Sequence, residues 1–163
     1  MRRVAVMVLL SIAAAGVADK ATAADKDKRF LCLDRKLVTT RVHPRGFEAC
    51  DLLGPNNELV HVKKVSSNTG SSVLSHLFAQ GLVAIESLTD RPTWDKFVQL
   101  VANQDPHRAS RLGDRPAALI YAIHRSDKPL TPDTLFTFAR SALVSASVTL
   151  SAFGIPLQIY VIP

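Results

Sequence analysis

Four residues near the middle of the chain could do chemistry because they interrupt apolar stretches: Glu48 and Asp51 within residues 47–53, and His61 and Lys63 within residues 58–65. Residues two apart on a strand share a face, so His61 and Lys63 point the same way. A carboxylate from the adjoining strand would complete a set with three abilities. It could hold a divalent metal such as Mg²⁺, move a proton through His61, and set the Lys63 cation against charge developing on a phosphate. Register decides which carboxylate takes part. If Leu53 pairs with Glu58, Cys50 faces His61 and Glu48 faces Lys63; a slip of one residue brings Asp51 opposite His61 and Ala49 opposite Lys63. Both acids are therefore candidate metal ligands, with Asp51, His61 and Lys63 as the candidate catalytic group. The plainer reading is a cross-strand Glu48–Lys63 ion pair on a solvated face, worth at most about 1 kcal/mol.

Further along, His76 and Gln80 lie four apart and share a helix face, flanked by Ser72 and Ser75. Ser75, His76 and Gln80 are the candidate substrate-binding residues; the alternative is an ordinary solvent face. His107, Arg108, Arg111 and Arg115 could track phosphates, or form a loop of solvated charges. No glycine-rich dinucleotide or phosphate loop, no Gly-x-Ser-x-Gly elbow and no His-Glu-x-x-His occurs. The two cysteines exclude both a disulfide-dense scaffold and a Cys-only zinc site.

The elements that must position these residues can be read from patterning. Residues 30–38, 47–53 and 58–65 read as three strands, the last two joined across Gly54-Pro55-Asn56-Asn57, a hairpin signal. After a Ser/Asn/Gly loop from residue 66 to 72, Val73, Leu74, Leu77, Phe78, Gly81, Leu82 and Ile85 recur at helical spacing. Pro92 begins a shorter helix, and residues 103–116 read as an exposed Arg-rich loop. Residues 117–123 are nearly continuously apolar, as expected of a strand buried on both faces. Thr131-Pro132-Asp133 is a helix start, Gly154 a stop, and residues 155–162 a last strand. Phe136, Phe138, Leu143, Val148 and Leu150 of that last helix are expected in the core. The order β-β-β-α-α-β-α-β predicts an α/β (α+β) fold, a three-stranded meander followed by crossover units in a mixed sheet flanked by helices.

The chain has 163 residues, 47% apolar and 21% charged, which excludes a wholly disordered chain and fits one domain. Arg2 and Arg3, an uncharged run to Ala18 and Ala21-Thr22-Ala23 describe a signal peptide over residues 1–23, too short for a membrane span. A single domain over residues 24–163, exported to the periplasm or secreted, is expected; the alternative is a misassigned start and a cytoplasmic protein. Cleavage would lower the net charge from +6 to +4, so basicity points only weakly to nucleic acid. After export Cys32 and Cys50 could pair, or remain two buried thiols. Oligomeric state is not readable from the sequence.

The runs Phe47-Glu48-Ala49-Cys50-Asp51-Leu52-Leu53, Glu58-Leu59-Val60-His61-Val62-Lys63 and Leu74-Ser75-His76-Leu77-Phe78-Ala79-Gln80-Gly81, with Leu31-Cys32-Leu33-Asp34-Arg35-Lys36-Leu37-Val38 before them, resemble the C-terminal part of a "sporadically distributed" bacterial protein family of unknown function. The likeness covers roughly residues 30–163 and implies a module or fragment of a longer protein. At the level of fold the chain also resembles PD-(D/E)XK nucleases, the restriction-endonuclease-like enzymes. That resemblance makes Asp51 the first acid, sets His61-Val62-Lys63 in place of acid-x-Lys, and makes Gln80 the helix polar residue. It implies Mg²⁺-dependent action on nucleic acid. The alternative is a non-catalytic binding or interaction module.

Overall fold

The computed structural model describes residues 28–65, 70–125 and 130–162. The expected signal peptide and most of the loop after residue 65 lie outside them. Five strands form a mixed sheet: β1 (Leu31–Cys32), β4 (Leu52–Leu53), β5 (Glu58–Lys64), β6 (Ala118–His124) and β7 (Leu157–Ile162), neighbours in that order. The pairs β1–β4 and β4–β5 are antiparallel, and β5–β6 and β6–β7 are parallel. A second, two-stranded sheet pairs β2 (Leu37–Val38) with β3 (Phe47–Glu48). The helices are α1 (Gly70–Leu88), α2 (Arg91–Ala102), the short α3 (Pro106–Ala109) and α4 (Thr137–Ala152). The mixed α+β class expected from patterning is the observed one.

The first two expected strands are not continuous. Each breaks in its middle, and the outer halves leave the main sheet to pair with one another as β2 and β3. At the first break Leu33 O accepts from Lys36 N–H at 3.0 Å, and Arg35 takes a left-handed backbone with φ 59°. At the second, residues 49–51 bend the chain back, and Leu33 N–H donates to Asp51 O at 2.8 Å. Residues 34–50 are thus an arm that departs from and returns to one point on the sheet.

The expected β4–β5 hairpin forms, with Leu53 paired to Leu59 and Leu52 to Val60. This is the slipped offset, and it follows from Gly54 pairing with Glu58. Gly54 N–H donates to Glu58 O at 2.8 Å, so Gly54 joins the ladder and the turn shortens to residues 55–57, while the Glu58 carboxylate accepts from Asn56 N–H and Nδ2 at 2.8 and 2.9 Å and steadies it. Asn57, at φ 69°, completes the reversal.

β6 is buried along six of its seven residues, as its apolar run predicts. One face of the sheet carries Leu59, Leu119, Tyr121 and Ile123 into a core with Leu77, Phe78, Ile85, Trp94, Phe97 and Leu150 from the helices. The opposite face gathers Phe30, Leu52, Val60, Val62, Ile120 and Ala122. Gly81 lets α1 lie close over β6, because a Cβ there would collide with the Tyr121 hydroxyl. That hydroxyl donates to Phe78 O at 2.9 Å, and burial pushes its pKa above the usual tyrosine range.

Three local expectations change. The loop 103–116 contains α3, capped by Asp105, and two of its arginines serve the backbone. Arg108 donates to Gly54 O and Pro55 O across the β4–β5 turn, and Arg115 to Phe153 O at 3.1 Å. Thr131-Pro132 starts only a 3₁₀ turn: Thr134 N–H returns to Thr131 O, Phe136 is extended, and α4 begins at Thr137. Of the apolar residues expected in the core from the last helix, Leu150 is buried and Leu143 packs against the core, but Phe136, Phe138 and Val148 are exposed. Ala139, Ala146 and Leu150 form the buried stripe instead. No helix among the described residues is long and apolar enough to cross a membrane.

Candidate metal centre

The arm's departure and return bring acids together that are distant in sequence. Asp34 stands two residues past β1, Glu48 ends β3, and Asp51 stands where the arm rejoins the sheet. One oxygen from each of the three carboxylates lies within 4.8 Å of the others. Asp51 is buried and fixed on both sides: its N–H donates to Val60 O at 3.0 Å, and its Oδ2 accepts from Val62 N–H at 2.5 Å. The side chain thereby replaces a ladder carbonyl just before β4 begins. Glu48 is half-buried; its Oε1 accepts from Arg35 N–H at 2.5 Å and its Oε2 from Gln80 Nε2 at 2.8 Å. Asp34 meets the Arg35 guanidinium at 3.4 Å, while the Arg35 side chain is 92% exposed.

These donors fit a hard divalent cation. Oxygens on opposite sides of one ion lie about 4.2 Å apart for Mg²⁺ and about 4.8 Å for Ca²⁺, so the observed spread needs little closure. An all-carboxylate set favours Mg²⁺, Mn²⁺ or Ca²⁺ over softer metals.

Of the residues singled out from sequence, Asp51, Glu48 and Gln80 come together. Glu48 makes no pair with Lys63: β3 lies beside β2, and both Glu48 oxygens are taken by Arg35 N–H and Gln80. Lys63 is half-buried, on the sheet face it shares with Leu59 and His61, and among the described residues its ammonium makes no ion pair. His61 is fully buried, with its ring centroid 6.1 Å from that of Tyr121. Ser75 is half-buried and His76 exposed on α1, and neither belongs to the carboxylate group. Of the two outcomes open for Cys32 and Cys50, a disulfide or two thiols, the structure has the thiols. Both are free thiols, and burial, then the neighbouring Asp51 charge, push the Cys50 thiol well above its ordinary range.

Asp34 is the member of the carboxylate group that the sequence did not single out. It lies inside what reads as a continuous strand, and only a turn at Asp34-Arg35-Lys36 would have exposed it as a site residue.

The arm is held down at two further points. Ser87 Oγ and His43 Nε2 lie 3.2 Å apart, and Lys96 Nζ donates to Thr39 O at 2.9 Å. Gln80 and Ser87 are two turns apart on α1, so one helix face grips both the base and the tip of the arm. Between the tip and the helices runs a groove of about 730 Å³, lined by Arg41, His43, Glu86, Ser87, Asp90 and Lys96 among others.

A family model described as "Family of unknown function (DUF6119)" matches residues 20–163. The chain belongs to that family, which agrees with the resemblance to an uncharacterised family. No curated protein matches the chain. No solved structure matches it.

Proposed function

We propose that this member of the DUF6119 family is a nuclease-like domain that binds nucleic acid and hydrolyses phosphodiesters with a divalent metal. The observation that carries the reading is the convergence of Asp34, Glu48 and Asp51 from three separate points of the chain. When bound, the cation would supply charge to polarise a phosphoryl oxygen and to lower the pKa of a water. The three carboxylates would hold it, and Gln80 fixes the orientation of Glu48. Lys63, a cation without an ion-pair partner among the described residues, would offset charge on the phosphate at the transition state. Full burial of His61 favours a supporting part behind the site over direct proton transfer to substrate. Ser75 and His76, a turn before Gln80 on α1, would line the approach.

A second reading is a non-catalytic module in which the carboxylates only fasten the arm. It is favoured by the bonds Glu48 and Asp51 already accept from Arg35 N–H, Gln80 and Val62 N–H.

The full chain, offered plasmid, linear duplex, single-stranded DNA and RNA with Mg²⁺, Mn²⁺ or EDTA, separates the two. Metal-dependent cleavage lost in Asp34→Asn and in Lys63→Ala, with circular dichroism unchanged, is the expected result. A folded protein that neither cuts nor binds Mn²⁺ by calorimetry overturns the nuclease reading and leaves the second.

A further inference from the structure

The positive charge of the chain is unevenly placed. Residues 28–48 hold six Lys+Arg against two Asp+Glu, whereas residues 49–163 hold ten against nine. The two acids of the first segment are Asp34 and Glu48, which turn inward to the carboxylate group. Arg35, Lys36, Arg41 and Arg45 are all exposed. Among the described residues the side chains of Lys36, Arg41 and Arg45 make no hydrogen bond or ion pair. Arg35 joins the two sets, since its backbone binds Glu48 while its side chain projects into solvent beside Asp34.

Hydrogen bonds within the arm and to the helices give these charges a defined arrangement. Its tip is closed by His43 N–H to Thr40 Oγ1 at 2.8 Å, Thr40 N–H to His43 O at 3.1 Å and Gly46 N–H to His43 O at 2.9 Å. Its contacts with Gln80, Ser87 and Lys96 hold it to α1 and α2.

We infer that the outer surface of the arm, through Arg35, Lys36, Arg41 and Arg45, is a clamp for the phosphate backbone of duplex nucleic acid, leading it to the carboxylate group. The inference rests on the nuclease reading for the direction in which the duplex runs. Duplex is favoured over single strand because single-strand binding relies on aromatic platforms for base stacking, and both aromatic residues of the segment, Phe30 and Phe47, are buried. Contacts of this kind position the duplex and carry no base information, so binding should be indifferent to sequence and steep in salt.

The test is fluorescence anisotropy of the full chain on a labelled DNA duplex, its RNA counterpart and the single strands, all in EDTA so that nothing is cut. Each phosphate contact contributes about 0.9 to the slope of log K against log salt for a DNA duplex. Arg41→Ala combined with Arg45→Ala should lower that slope by about 2 and weaken binding. Arg91→Ala, an exposed arginine on α2 paired with Asp95, should leave the slope unchanged. Equal slopes for wild type and the double variant overturn the inference, as does an equal loss in Arg91→Ala, tighter binding to single strands, or a preference for phosphatidylserine vesicles over duplex. The two proposals fail separately. Arm-dependent binding without cleavage under any metal removes the nuclease and keeps the clamp; cleavage untouched by the arm variants removes the clamp and keeps the nuclease.

Discussion

The arm and the parallel block β5–β6–β7 share one core but differ in what else holds them. The block is a continuous backbone ladder buried under α1, α2 and α4, with hydrophobic burial as its main driving force. The arm has two strands of two residues each; Val38, Phe47, Ala49 and Cys50 anchor it in the same core, and individual side chains fasten its outer part: Gln80 on Glu48, Ser87 on His43, Lys96 on Thr39 O. The candidate metal ligands sit where the arm meets the sheet. A rigid block thus provides the anchor, while a lightly fastened polar excursion supplies most of the reactive groups, a division common where loops carry function.

Substitutions where the helices pack on the block should have the largest effects on stability. Phe78 is fully buried against Tyr121, with ring centroids 5.0 Å apart; Phe78→Ala should cost about 3–5 kcal/mol, read as a lower midpoint in urea with the whole transition shifted. At the junction, Asp51→Ala would leave the buried Val62 N–H without its acceptor and should cost about 1–3 kcal/mol. Asp51→Asn keeps an acceptor and should recover most of that stability while still losing Mn²⁺ binding. Recovery of metal binding in Asp51→Asn would remove this residue from the ligand set.

An alkaline titration probes the block in another way. Burial raises the Tyr121 pKa, so above about pH 10 the unfolded chain gives up a proton that the folded chain keeps. The stabilisation is complete below that pH and should fall by up to about 1.4 kcal/mol per pH unit above it. Tyr121→Phe should remove this component of the pH dependence in urea titrations. The smallest effect belongs to the arm. Ser87→Ala, which removes the bond to His43, should cost about 0.5–1.5 kcal/mol and show itself as faster hydrogen exchange in residues 39–46, with the exchange of β6 unchanged. Equal acceleration in β6 would mean that arm and block unfold as one unit.

The block was readable because its signals are long. The apolar run of β6 and the periodicity of α1 each extend over many residues, and Gly54-Pro55-Asn56-Asn57 admits little besides a turn. The arm was not, because apolar residues at 31–33, 37–38, 47 and 52–53 have the same composition whether they form two long strands or four short ones that part company. What separates the cases is the left-handed backbone at Arg35, a conformation that residue type does not announce. The register slipped for a similar reason: Gly54, which reads as the first residue of the turn, pairs with Glu58 and leaves only residues 55–57 to reverse the chain. In α4 hydrophobicity misled, since close packing against α1 selected Ala139 and Ala146 and left Phe138 and Val148 outside. The site was half legible. Asp51, Glu48 and Gln80 stood out as polar residues in apolar surroundings, whereas Asp34 sits beside Arg35 and Lys36, where an acid draws no notice.

Because Leu33 and Asp51 are hydrogen-bonded neighbours, the seventeen residues between them form a loop in the polymer sense, closed at its neck by the sheet. Closing it costs entropy that grows only with the logarithm of its length. Cutting it to a four-residue turn would return roughly 1.3 kcal/mol of that cost and leave the five-stranded sheet its connectivity. The same property lets such an excursion lengthen or change its charges while the remainder of the chain folds as before, so the reactive part of this architecture is also the part most open to exchange.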